Sequence, residues 1–250
     1  MDEQEKLPIT AHLEELRTRL IWSLIAVGLG FLACYAVKED LFQILARPLL
    51  SALPEGDKLI FTGLPEPFFT YLKISFFGGV VLALPVIMYQ VWKFVAPGLY
   101  LSERNLLFPL VFLSCLFFAM GASFGYFVVF PFGFKFFLGF AGDSIQAMPS
   151  MREYLSLTTK LLLGFGIVFQ LPLFITAFAR FGLVSVDFLK KQRKYAILLF
   201  FIAAAILTPP DVITQILMAI PLMALYELSI VGARIFGKKP PQEEPEAPES

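Results

Sequence analysis

Two glutamates stand where a carboxylate could bind a cationic ligand next to a membrane. Glu15 lies in the run HLEELR at residues 12–17, before the first apolar segment, and Glu103 lies in the loop between the second and third segments. Carboxylates pair with guanidinium groups through two parallel hydrogen bonds, so two carboxylates on one face could bind a basic ligand. The alternative is an intrachain role, in which Glu15 pairs with Arg19 one helical turn away and Glu103 is a solvated loop charge.

A second polar pair, Asp211 and Gln215, follows the Thr-Pro-Pro run at residues 208–210. The two residues are one helical turn apart and share a face, so together they could form hydrogen bonds with a polar residue of a partner helix. Asp211 is equally well placed to cap the next helix, because its side chain can accept hydrogen bonds from the first backbone amides. The two roles are compatible.

Two aromatic residues, Trp92 and Phe94, precede the loop that holds Glu103. Aromatic side chains at such positions commonly form a belt at the membrane–water interface. This interpretation is the better one for Trp92. Phe94 could instead contribute to a site that includes Glu103.

Catalytic signatures are incomplete. The run GASFG at residues 121–125 matches the G-x-S-x-G pattern of serine hydrolases, but the only histidine, His12, lies far from Ser123 in the chain. A serine nucleophile needs a base within hydrogen-bond reach, so a packing face of small residues is the simpler interpretation. With one histidine and two widely separated cysteines, the sequence predicts no metal site, no cofactor and no enzymatic activity.

These residues are set in a very apolar chain. Of its 250 residues, 58% are hydrophobic and 16% are charged, whereas soluble domains carry about 25% charged residues. The 20 basic and 20 acidic residues cancel, which argues against binding to nucleic acid. The apolar runs are too long and continuous for barrel strands, so the sequence predicts an all-α protein with several transmembrane helices.

Six apolar segments predict six transmembrane helices. In chain order they cover residues 20–37, 68–91, 106–130, 155–178, 195–207 and 212–231. The first four are long enough, because a span needs about 20 residues. The fifth has about 13 residues before the Thr-Pro-Pro run and the sixth about 15 before Glu227, so the last two helices are predicted to be short. A locally thinned bilayer or packing against longer helices would absorb that mismatch.

The distribution of charge predicts the orientation of the chain. Most Lys and Arg residues flank the segments on the side that holds both termini, which places both termini in the cytoplasm. Residues 237–250 are rich in Pro and Glu and are predicted to be a disordered tail after one domain of residues 1–236. In the outer loop of residues 38–67, apolar residues at helical spacing around Pro48 predict a short interfacial helix.

Several motifs, in this order, resemble those of the TatC family, the large membrane subunit of the twin-arginine protein translocase. They are HLEELR at residues 12–17, PVIMYQVWKF at 85–94, the loop at 96–104, YFVVFP at 126–131, TPPD at 208–211 and the run at 215–221. The likeness extends over residues 7–236. It implies a concave cup of six transmembrane helices in the bacterial cytoplasmic membrane.

The resemblance also implies a function. A protein of this family binds twin-arginine signal peptides and moves folded proteins across the membrane with the proton-motive force, together with single-span TatA- and TatB-type partners and other copies of itself. The resemblance assigns the signal-peptide site to Glu15, Arg17, Phe94 and Glu103. It assigns the partner-helix contact to Thr208, Asp211 and Gln215. Pro48 falls on the family's outer-loop proline, which would shape a periplasmic cap.

One position departs from the family pattern. The family commonly has Phe-Glu-x-Pro in the fourth span, and residues 169–172 here are Phe-Gln-Leu-Pro. Gln170 can form hydrogen bonds but carries no charge, and we expect it to satisfy a backbone carbonyl freed by Pro172. Two other functions stay open at this point. A small-solute transporter would need polar groups that converge at the midplane, where Gln170 is nearly alone. An intramembrane hydrolase would need a base for Ser123.

Overall fold

The structure is a computed structural model that describes residues 9–54, 57–95, 107–140, 146–207 and 212–237. Within these ranges the chain is helical, apart from the connecting loops and an isolated bridge between Ile60 and Ser150. The predicted fold class, an all-α membrane protein, is confirmed.

Ten α-helices make up the described part of the chain. They are α1 (Ile9–Ala36), α2 (Lys38–Leu50), α3 (Glu66–Val95), α4 (Leu107–Phe124), α5 (Phe130–Leu138), α6 (Met151–Val168), α7 (Leu171–Arg180), α8 (Val186–Lys191), α9 (Arg193–Leu207) and α10 (Val212–Phe236). A π-helical turn, Gly125–Val129, joins α4 to α5 without a break. Helices α6 and α7, separated by Phe169 and Gln170, likewise form one long apolar stretch, Met151–Arg180.

Five stretches of the described residues are long and apolar enough to cross a membrane. They are His12–Ala36, Glu66–Val95, Leu107–Leu138, Met151–Arg180 and Met218–Phe236. The remaining apolar helix, α9, has 15 residues and is short, as the sequence predicts.

The last helix, α10, has 25 residues and is longer than its apolar beginning indicates. It continues through Glu227, whose Oε2 accepts a hydrogen bond of 2.7 Å from Nη2 of Arg193 at the start of α9. The charge of Glu227 is thus paired within the chain. Glu227 lies inside α10, which continues to Phe236, so the prediction of a short last helix describes only the beginning of α10.

Small residues allow neighbouring helices to pack closely. A Cβ atom on Gly121 of α4 would lie 2.5 Å from the carbonyl oxygen of Phe165 in α6, and one on Gly30 of α1 would lie 2.7 Å from the carbonyl oxygen of Gly79 in α3. Only glycine tolerates such an approach. The interpretation of residues 121–125 as a packing face is therefore supported.

Candidate functional site

The structure describes six of the nine predicted site residues. They are Glu15, Arg17, Pro48, Phe94, Gln170 and Gln215. The other three, Glu103, Thr208 and Asp211, lie outside the described residues.

A groove of about 520 Å³ lies between α1 and α3. The two helices run antiparallel, which brings the beginning of α1 beside the end of α3. Both helices contribute to the lining: Glu14, Glu15, Thr18, Arg19, Trp22, Tyr89, Gln90 and Lys93. Glu15, predicted to bind a ligand, therefore lines a groove formed by two helices and is not an isolated surface residue.

The carboxylate of Glu15 is already engaged within the chain. Its Oε1 accepts a hydrogen bond of 3.2 Å from Nε of Arg19 and a second, short one from Nη2. Its Oε2 lies 3.7 Å from Nδ1 of His12. The intrachain alternative for Glu15 is therefore present in this structure. The side chain of Glu15 is still 30% exposed, whereas that of Arg19 is 13% exposed, so the carboxylate remains accessible from the groove.

Phe94 lies near Glu15, next to the groove. Its ring stacks on the imidazole of His12, with ring centroids 4.3 Å apart and planes 16° from parallel. The stack joins the beginning of α1 to the end of α3 and so brings Phe94 close to Glu15. Arg17 is exposed and forms no ion pair among the described residues. The sequence interpretation missed Gln90, whose Oε1 accepts a hydrogen bond of 3.4 Å from Nη1 of Arg19.

A second polar cluster is buried between α3, α4 and the start of α7. Nε1 of Trp92 donates to Oγ of Ser114 at 2.8 Å, and Nε2 of Gln170 donates to the Ser114 carbonyl at 2.8 Å. Gln170 is 4% exposed, and its Oε1 has no partner among the described residues.

This cluster corrects two expectations. Gln170 binds a carbonyl of α4 rather than one freed by Pro172, because the close packing of α4 places that carbonyl within its reach. Trp92 lies in the interior rather than in an interface belt, since Ser114 satisfies its indole N–H and its ring stacks on Phe174 with centroids 4.7 Å apart.

Gln215, near the beginning of α10, contacts its own chain. Its Nε2 donates a hydrogen bond of 3.0 Å to the carbonyl of Phe201 in α9. The bond joins α9 and α10, the helices at which the family resemblance places the partner-helix contact. Its side chain is half-buried, so part of it stays accessible.

Pro48 lies inside α2, which stands where the sequence predicts a short helix in the outer loop. Because proline has no amide hydrogen, the carbonyl of Ile44 four residues earlier lacks its intrahelical donor. The hydroxyl of Tyr126 donates to that carbonyl at 2.6 Å, and the hydroxyl of Tyr154 donates to the Leu45 carbonyl at 2.7 Å. The sequence interpretation missed both tyrosines, although a proline within a helix indicates that an outside donor is needed.

Glu66, the first residue of α3, joins two loops at the end of the bundle opposite the groove. It is 8% exposed. Its Oε2 accepts hydrogen bonds from the amides of Thr62 and Gly63 at 3.0 and 3.3 Å. Its Oε1 accepts from the hydroxyl of Ser150 and the amide of Arg152 at 2.8 and 2.9 Å. The sequence pattern marks an acid at a helix start but not these distant partners.

Comparison with known proteins agrees with the motifs. A family model described as Sec-independent protein translocase protein (TatC) matches residues 11–221. The protein of that name from Desulforapulum autotrophicum is 63% identical over 248 residues, which cover 99% of this chain and 92% of that protein. The Escherichia coli protein is 39% identical over 236 residues, which cover 94% of this chain and 92% of that protein.

A solved structure supports the same assignment. The crystal structure of the twin-arginine translocase receptor TatC matches this fold with a TM-score of 0.82 at 42% sequence identity. The match covers 90% of this chain and 98% of that chain. The resemblance indicated by the motifs is confirmed, and the chain belongs to the TatC family of Sec-independent protein translocase proteins.

Proposed function

We propose that this protein is the receptor subunit of a twin-arginine translocase, and that the groove between α1 and α3 receives the arginine pair of a signal peptide. The observation that carries the proposal is the position of Glu15, whose carboxylate lines the groove. The chain that forms this groove is similar to a protein described as the twin-arginine translocase receptor. Peptide binding and transport, rather than catalysis, are its proposed role.

The chemistry of the groove suits a guanidinium group. The carboxylates of Glu14 and Glu15 can accept its N–H groups, and the exposed ring of Trp22 offers a face on which a planar cation can stack. The ring of Tyr89 already has a cation near it, since Nζ of Lys93 lies 5.7 Å from its centroid. The second carboxylate of the proposed arginine site is Glu103. Arg17 and Phe94 complete the set, with Phe94 acting through its stack on His12.

The site requires a defined orientation in the membrane. The chain is a multi-pass bacterial membrane protein, and we place both termini, and with them the groove, in the cytoplasm. The excess of Lys and Arg on that side supports this orientation. Signal peptides would then reach the groove from the side where cargo proteins fold. The proton-motive force would drive transport past α9, whose 15 residues would favour a thinner bilayer around it.

The proposed partners are single-span TatA- and TatB-type subunits and other copies of this chain. The contact surface for the single-span subunits would lie on α9 and α10, at Thr208, Asp211 and Gln215. Apolar residues on the same helices are exposed and free to pack against another helix in lipid: Leu198, Leu199, Ile202, Ile206, Ile216 and Ile220.

Photocrosslinking in membranes tests the proposed receptor role. A photoreactive residue at position 94 or 103 should crosslink to a radiolabelled signal peptide with an Arg-Arg pair, and less to the same peptide with Lys-Lys. Position 198, exposed on α9, serves as the control and should give no such crosslink. Equal crosslinking of the two peptides from positions 94 and 103, or none, would contradict the proposal.

A further inference from the structure

The guanidinium that Glu15 binds in this structure comes from its own helix. Arg19 donates to a single oxygen of Glu15 through both Nε and Nη2, in the i,i+4 geometry that favours a glutamate–arginine pair. A signal-peptide arginine that pairs with both oxygens of Glu15 would meet Arg19 at Oε1. An incoming peptide must therefore displace Arg19 or share the carboxylate with it.

Arg19 is held from both sides of the groove. Its remaining donor group, Nη1, reaches Oε1 of Gln90 on α3, while Nε and Nη2 bind Glu15 on α1. The two acceptors together form a subsite that fits one planar guanidinium. With a side chain only 13% exposed, Arg19 occupies this subsite as a ligand would, rather than as a freely solvated surface charge.

We propose that Arg19 is a resident ligand of the guanidinium subsite formed by Glu15 and Gln90, and that one arginine of the signal peptide displaces it. This inference rests on the proposed function, because it assumes that the groove binds the peptide. The exchange replaces one guanidinium by another, so the Glu15 carboxylate never loses its charged partner. An unpaired carboxylate in a partly desolvated groove would be costly, and the exchange avoids that state.

The resident arginine has two consequences for recognition. It lowers the apparent affinity for every peptide, because only those molecules in which Arg19 has left the subsite can bind the peptide there. It also raises selectivity, since a lysine cannot offer the planar fork of donors with which Arg19 competes. Removing Arg19 should therefore tighten binding while reducing the preference for arginine over lysine.

The test measures dissociation constants of the full-length chain in nanodiscs. The probes are a synthetic signal peptide with an Arg-Arg pair and the same peptide with Lys-Lys. Arg19→Gln should tighten binding of the Arg-Arg peptide by roughly two- to fivefold, the range of a partly exposed ion pair. Binding of the Lys-Lys peptide should tighten more. The dissociation constant for the Lys-Lys peptide divided by that for the Arg-Arg peptide should therefore fall.

Two further variants separate displacement from general electrostatics. Arg19→Lys keeps the charge but loses the planar set of N–H donors, so it should also tighten binding of the Arg-Arg peptide. If Arg19→Gln does not fold, Arg19→Lys takes its place in the test. Arg234→Gln removes an exposed positive charge near the end of α10 and should leave both constants unchanged. Unchanged or weaker binding by both Arg19 variants would overturn the inference.

A Glu15→Gln variant distinguishes failure of this inference from failure of the proposed function. If Glu15→Gln weakens peptide binding but neither Arg19 variant tightens it, then the groove binds the peptide and only the resident-ligand role is wrong. If Glu15→Gln leaves peptide binding unchanged with and without Arg19→Gln, then the groove is not the peptide site and both proposals fail.

Discussion

The hydroxyl of Tyr126 donates a hydrogen bond of 2.6 Å to the carbonyl of Ile44, 82 positions away in the sequence. That carbonyl is the one that Pro48 leaves without an intrahelical donor. The proline therefore does more than bend α2. It creates an acceptor by which the π-helical turn after α4 holds α2 in place. The contact links Pro48 to the position of α2, while its role in a periplasmic cap stays a prediction.

The link between Pro48 and Tyr126 predicts a non-additive pair of substitutions. Tyr126→Phe should lower the free energy of unfolding by about 1 kcal/mol, the typical value of one hydrogen bond. In a Pro48→Ala background the loss should be smaller, because the new amide at position 48 can bind the Ile44 carbonyl. Denaturant unfolding in detergent measures the double-mutant cycle.

A tyrosine elsewhere provides the control for that cycle. The side chain of Tyr195 is exposed at the start of α9, and its hydroxyl forms no hydrogen bond among the described residues. Tyr195→Phe should leave the stability unchanged in both backgrounds. Equal losses from Tyr126→Phe with and without Pro48 would show that the two residues are not coupled.

Glu66→Gln should loosen the junction between the loop before α3 and the start of α6. An amide keeps one acceptor oxygen, but its NH₂ group would face backbone and side-chain donors that now bind a carboxylate oxygen. We expect a lower thermal midpoint and faster protease cleavage within residues 57–65. Glu153→Gln is the matched control, because Glu153 is exposed and accepts no such hydrogen bonds among the described residues. Equal midpoints for the two variants would contradict this account.

Gln170→Glu tests whether the buried cluster around Ser114 is dry. An ionised carboxylate at this position would face the Ser114 carbonyl without a donor and should cost about 1–3 kcal/mol of stability at neutral pH. Gln170→Met, which is similar in size and uncharged, should cost less. Thermal unfolding in detergent ranks the two variants. Equal stability of both would mean that water or a counter-charge reaches the site.

Gln215→Leu should separate the partner contact from the peptide site. Loss of the hydrogen bond to the Phe201 carbonyl should cost about 1 kcal/mol of stability. Disulfide crosslinking of α9 and α10 to a TatA- or TatB-type subunit should decrease, while the affinity for the signal peptide stays the same. Unchanged crosslinking to both subunits would argue against a partner contact at Gln215.

The sequence predicts the helices well because membrane insertion depends on local composition. Runs of about 20 apolar residues mark the spans, and the short length of α9 follows from the position of the Thr-Pro-Pro run. The start of α1 at Ile9 is missed, because the polar turn around Glu15 is not apolar enough to be counted in the span. The same turn is helical, and its helical register places Arg19 beside Glu15.

Contacts between distant segments are harder to predict. The pairs Trp92–Ser114, Gln170–Ser114 and Glu66–Ser150 each join helices or loops that are far apart in sequence. Their partners are set by how the helices pack, and composition alone gives no register for that packing. A buried polar residue signals that a partner is needed, but not which one.

The most direct test of the account is the affinity of the chain for signal peptides with Arg-Arg and Lys-Lys pairs, before and after Glu15→Gln. We predict tighter binding of the Arg-Arg peptide, and a loss of roughly tenfold or more on Glu15→Gln, because charge-assisted hydrogen bonds are lost. The exposed Glu39→Gln should change neither constant. Unaltered Arg-Arg affinity in the Glu15→Gln variant would contradict the claim that this groove is the receptor site.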